Sequence, residues 1–165
     1  MELGGLRHPS ERVFLLSTTH GAETHGLAAA IATIKTYQRE PVIDTIYERG
    51  QRLLTEGTQL IESHGLSRQV QIHGKPCCLV VSTLDKNGLP SQAMRSLFLQ
   101  ETIQRGILMS SLVVSYSHSN EDIDRTLDAM DGALKTYRKA LENGVEQYLT
   151  GKQSKPVFRR FNFQE

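Results

Sequence analysis

Three consecutive hydroxyl residues, Ser17-Thr18-Thr19, are followed by His20-Gly21 and, shortly after, by the alanine-rich stretch Leu27-Ala28-Ala29-Ala30-Ile31-Ala32-Thr33-Ile34. Hydroxyls and unpaired backbone N–H groups at the start of a helix point at an anion, and the helix dipole favours negative charge there. The chemistry this pattern offers is phosphate binding. It also serves as a plain hydroxyl-rich helix cap that holds no ligand.

Other residue types that carry chemistry are more scattered. Lys75, in Gly74-Lys75-Pro76 between two expected strands, is the one lysine whose setting suggests a reactive amine, although turns collect lysines for backbone reasons. The histidines (His8, His20, His25, His64, His73, His118) show no metal-ligand spacing, and His118, just ahead of a helix cap, reads as structural. Cys77 and Cys78 are adjacent, too close for ordinary disulfide geometry. They read as reduced thiols of a cytoplasmic protein, packed in a strand. Arg159 and Arg160 belong to a solvated tail.

Composition excludes several classes. Lys+Arg 19 against Asp+Glu 18 leaves no long-range field to draw nucleic acid or an anionic membrane. No apolar run approaches the roughly 18 residues of a membrane helix. The chain of 165 residues is long enough for a domain with its own core.

The elements that must position these residues follow from periodicity. Residues 1–20 read as loop, with one possible strand at Val13-Phe14-Leu15-Leu16. A helix is expected from Ala22 to Arg39, ended by Pro41, and a second from Pro41 to His64, where Ile43, Ile46, Gly50, Leu53, Gly57 and Leu60 recur at steps of three and four. Val70 and Ile72 then alternate with polar residues, Gly74-Lys75-Pro76 turns the chain, and Cys77 to Leu84 is expected to be a strand. Asp85-Lys86-Asn87-Gly88 is a turn signal. Residues 91–105 read as a helix with Met94, Leu97, Phe98 and Ile103 on its apolar face. Ile107-Leu108-Met109 and Leu112 to Tyr116 read as short strands. The last helix opens on a capping box, Ser119 with Asp122, and repeats Ile123, Leu127, Met130, Leu134, Tyr137 and Leu141. Lys152 to Glu165 is expected to be an extended tail. The order predicts an α+β fold: a small, mainly antiparallel sheet covered by helices.

Three blocks in sequence order also resemble a known family. They are Ser17 to Ile34, then Gly106-Ile107-Leu108-Met109 after Gln104-Arg105, then Val114 to Leu127 with its run Ser117-His118-Ser119-Asn120-Glu121-Asp122-Ile123-Asp124-Arg125-Thr126-Leu127. In order and spacing they look like the last part of class-III aminotransferases, pyridoxal-phosphate enzymes of fold type I. The third block is most similar to glutamate-1-semialdehyde 2,1-aminomutase. The resemblance implies pyridoxal 5'-phosphate as cofactor, with Thr19 matching the threonine that contacts the cofactor phosphate and Ser17 and Thr18 flanking it. It implies a homodimer that delivers this threonine into the partner's site, and a small, amino-acid-like substrate. It divides the chain into the end of a large cofactor-binding domain (1–40), a small C-terminal α+β domain (41–150) and a tail (151–165).

The family's Schiff-base lysine, its pyridine-binding aspartate and its ring-stacking aromatic all lie upstream of the matched blocks. The resemblance therefore implies a C-terminal fragment that is inactive alone. Met109-Ser110-Ser111-Leu112 is shorter than in the aminomutases and lacks their acidic residue, and the substrate-carboxylate arginine of some transaminases has no match. A transaminase on another amino donor thus stands beside the aminomutase. A reading from a different class, a non-catalytic α+β dimerisation or regulatory module, stands beside both.

Overall fold

The computed structural model describes residues 23–154 and divides the chain into two compact units, Met1–Val42 and Ile43–Glu165. The possible strand at Val13–Leu16, the Ser17–Thr19 turn and most of the tail lie outside the described residues.

In the first unit, helix α1 (Thr24–Arg39) has no buried residue. Leu27, Ile31 and Ile34, spaced by four and three, are each more than half exposed. The alanines between them give α1 high intrinsic helix propensity, so it forms without a packed face of its own.

The second unit meets the α+β expectation. Among the described residues it contains α2 (Val42–Ser63), which opens at the unit boundary, and strands β1 (Val70–Lys75) and β2 (Cys78–Thr83). Helices α3 (Gln92–Gln104) and α4 (Asn120–Asn143) and a 3₁₀ turn at Val145–Gln147 follow. The two strands form an antiparallel hairpin, from Val70 opposite Thr83 to Lys75 opposite Cys78. Val70 and Leu79 point inward and are fully covered, joining Leu53 and Ile61 of α2, Leu97 and Phe98 of α3, and Leu127, Met130, Leu134 and Tyr137 of α4 in one core. The buried Tyr137 hydroxyl donates to the Leu84 carbonyl at 2.6 Å, and burial pushes its ionisation well up.

α4 matches its sequence pattern closely. Ser119 Oγ accepts from the Asp122 amide, while the Asp122 carboxylate accepts from the Ser119 amide at 2.7 Å. The hydrogen bond from the Ser119 amide, and then the one that the Ser119 hydroxyl donates to the same carboxylate at 2.9 Å, hold the Asp122 carboxyl below its ordinary range. The Asp85 turn also forms, its Oδ1 accepting from the amides of Asn87 (2.8 Å) and Leu89 (3.0 Å).

Four local expectations change. The hairpin turn is Pro76-Cys77, and Gly74 and Lys75 still pair within the sheet. Gly74 is there for close approach: at φ +113, an added Cβ would lie 2.4 Å from the Cys78 carbonyl oxygen. Cys77 is consequently a half-buried turn residue and Cys78 an exposed strand end, rather than two packed strand residues. Residues 107–109 and 112–116 form no strands but an extended loop with one bridge, Leu112 to Leu79. A third strand there would need continuous pairing, and Met109, Leu112 and Val114 instead anchor the loop by burial. Finally, Ile43 and Ile103, expected on apolar faces, are 58% and 52% exposed.

Candidate functional site

Ser17, Thr18 and Thr19, the candidate phosphate turn, lie outside the described residues. The second and third resemblance blocks are described, and they build one structure together. α3 ends at Arg105 and Gly106, whose φ of +82 turns the chain back. The amide of Ile107 donates to the Thr102 carbonyl at 2.9 Å, fixing the loop's departure. Leu112 and Leu79 exchange backbone hydrogen bonds at 3.0 and 3.2 Å, and Arg49 of α2 donates to the Tyr116 carbonyl at 2.8 Å. His118 Nδ1 accepts from the Ser115 amide at 3.2 Å, closing a turn just before the α4 cap. His118 is thus a structural histidine, as its sequence context suggests.

Between this loop and the first turns of α4 lies a cleft of about 240 Å³. Its floor is apolar (Leu53, Met109, Leu112, Ile123), with Ser111, His118, Asp122 and Thr126 around it. The cleft suits a small apolar group. It contains no lysine or arginine, and Asp122 is already committed to the cap.

A polar seam joins α2 to α4. Arg52 pairs with Glu56 one turn on and with Asp124 of α4. Further along, Asp131 accepts from His64 Nε2 at 2.7 Å and from Lys135 Nζ at 2.6 Å. These two hydrogen bonds, Lys135's first, lower the Asp131 carboxyl from its ordinary range. Sequence reasoning missed the His64–Asp131 pair because the residues are 67 positions apart and neither belongs to a motif.

This geometry predicts an acid-sensitive joint. Because its folded pKa is depressed, Asp131 contributes stability that is complete above its unfolded value of about 3.9 and is lost as pH falls through the folded value. Urea unfolding from pH 6 down to pH 2 should therefore show a steeper acid loss for the native chain than for Asp131→Asn. Parallel acid limbs in the two proteins would contradict the assignment.

No described residue offers the amine that a pyridoxal group needs. Every lysine among the described residues is exposed, Lys75 included. By themselves the described residues do not fit the cofactor, and they supply no step through it.

No protein-family model matches the chain. Over 136 residues, 80% of the chain, it is 26% identical to 3-aminobutyryl-CoA aminotransferase of Cloacimonas acidaminovorans (strain Evry), of which it covers 32%. Among solved structures it is similar to the FumI protein of Sphingopyxis sp. MTA144 in its PLP internal aldimine form. There the TM-score is 0.67 at 18% identity, over 79% of this chain and 31% of that one. An omega-transaminase from Sphaerobacter thermophilus gives a TM-score of 0.50 at 18% identity, over 58% of this chain and 24% of that one. The chain shares its fold with a part of these two solved structures. It spans about a third or less of the length of each relative.

Among the described residues, no helix is long and apolar enough to cross a membrane.

Proposed function

We propose that this chain is the C-terminal part of a pyridoxal-phosphate-dependent aminotransferase or aminomutase, the aminomutase being of the glutamate-1-semialdehyde 2,1 type. One observation carries the reading: sequence similarity to an aminotransferase extends over 80% of the chain. Likeness to the fold of the FumI protein in its PLP internal aldimine form, at a TM-score of 0.67, and to that of an omega-transaminase, at 0.50, supports it. In this reading residues 1–40 end the large domain and residues 41–150 form the small one. The bound cofactor supplies an electron sink for moving an amino group. Thr19, with Ser17 and Thr18, grips the cofactor phosphate across a homodimer interface, and the small domain shields the amino-acid-like substrate from water. The Schiff-base lysine comes from a part of the enzyme that precedes these residues.

The chain by itself should then take up no specific cofactor label. Mixing it with pyridoxal phosphate, reducing with borohydride and mapping peptides should give scattered, substoichiometric adducts on exposed lysines. A single stoichiometric adduct, at Lys75 for instance, overturns the fragment reading. Coding DNA that continues in frame upstream of Met1, with a lysine and an aspartate in the family's context, supports it. A stop codon close upstream favours the non-catalytic module instead.

A further inference from the structure

The β1–β2 turn carries a feature that the transaminase reading leaves unused. Pro76 and Cys77 form the whole turn, and Cys78 is the first residue of β2, opposite Lys75. Both cysteines are free, Cys77 half-buried and Cys78 exposed. The turn is pinned from below. Gly50 of α2 lies so close that an added Cβ would sit 1.9 Å from the Pro76 carbonyl oxygen. Tyr47, one helical turn earlier and on the same face, forms a side-chain hydrogen bond with Cys77. That hydrogen bond, and then the charge of the Cys77 thiolate, raises the Tyr47 hydroxyl above its ordinary value. On the strand side, Gly74 brings the two backbones together beside Cys78. The two cysteines are thus consecutive on a backbone held close to α2 at Pro76 and paired in the sheet at Cys78, with Cys78 open to solvent.

We propose that Cys77 and Cys78 form a dithiol site for a thiophilic trivalent element, with monosubstituted arsenicals as its ligand class. Two geometric facts select this chemistry. Consecutive Cα atoms are about 3.8 Å apart across a trans peptide, short of the roughly 4.4–6.8 Å that disulfides span. A bridging atom holds two sulfurs further apart than a direct S–S bond does, so it fits where the disulfide is strained. Nor is this a zinc site: no group of three or more metal-binding side chains occurs among the described residues, and structural zinc takes four ligands. The site supplies two thiolates, which is what a monosubstituted trivalent arsenic requires. With phenylarsine oxide, two As–S bonds form, and the two thiol protons leave with the oxide oxygen as one water. Arsenic stays trivalent, so no oxidant or reductant enters.

The full chain is titrated with phenylarsine oxide in excess glutathione, with bound arsenic read by intact mass. One phenylarsenic per chain is expected, removable by a small dithiol. Closing the second As–S bond within the chain is an intramolecular step, so Cys77→Ser or Cys78→Ser should each lower affinity by about a hundred-fold or more. Alkylating the exposed Cys78 alone should give the same loss without any substitution. Retention of the reagent by either serine variant to within a few-fold of the native chain overturns the proposal. So does rapid closure of a Cys77–Cys78 disulfide under hydrogen peroxide.

Discussion

Gly50→Ala should lower the free energy of unfolding by about 1–3 kcal/mol, although the same change on an open helix surface would stabilise it. Two effects compete. Alanine is the better helix former by roughly 0.8–1.0 kcal/mol. Against that, the new methyl would stand 1.9 Å from the Pro76 carbonyl oxygen and 2.5 Å from its carbon. These are backbone atoms of a short turn, with no side-chain rotation to relieve them, so α2 and the hairpin must separate. Gly57, two turns further along α2, is the internal control. There the methyl would meet Ile72 Cδ1 at 2.7 Å, the far end of a flexible side chain that can swing aside. Gly57→Ala should therefore cost much less, with its helix-propensity gain offsetting most of the crowding. Urea denaturation of both variants measures the difference. Equal midpoints would mean that the hairpin does not lean on α2 at Gly50.

That contrast shows what was legible in the sequence and what was not. The step-of-three-and-four pattern identifies α2 and places Gly50 and Gly57 on its inner stripe, but periodicity cannot distinguish a glycine facing backbone from one facing a side chain. α4 was legible almost residue by residue, because a long apolar repeat and a capping box agree with each other. The hairpin was legible as a hairpin, yet its turn lies further along than expected. Gly74 carries a turn-like signal and is used instead for a close strand approach. Residues 107–116 have the β-branched, apolar character of strands, but burial of Met109, Leu112 and Val114 in a loop satisfies the same pattern without pairing. The His64–Asp131 pair left no trace in the sequence, since it depends on the register of α2 against α4. Of the candidate cofactor site, the sequence offers the hydroxyl turn Ser17-Thr18-Thr19, which lies outside the described residues; the lysines among the described residues are exposed.

The largest functional effect expected from a single side chain of this chain falls at Thr19. In an enzyme that contains this segment, Thr19→Ala should weaken pyridoxal-phosphate binding by about ten- to a hundred-fold. A hydrogen bond to a charged group contributes about 1.5–3 kcal/mol, and each 1.4 kcal/mol is a factor of ten in affinity. The loss stays within that range because, in the proposed reading, Ser17 and Thr18 with backbone amides of a helix start would remain as donors to the anion. Thr19→Ser keeps the hydroxyl and should recover most of the affinity, separating the hydrogen bond from any change in packing. In the proposed reading Thr19 is a ligand contact rather than a core group, so thermal unfolding of the cofactor-free protein should be nearly unchanged. Because the proposed homodimer delivers Thr19 into its partner's site, the defect should follow the subunit opposite the one that holds the cofactor lysine. Heterodimers that pair an unaltered subunit with one carrying both Thr19→Ala and the loss of the cofactor lysine test this directly. If the intact lysine lies opposite the altered threonine, the surviving site binds cofactor weakly. Normal affinity in that pairing would place the phosphate contact within a single subunit, and an unchanged dissociation constant in the homodimer would remove Thr19 from the phosphate site altogether.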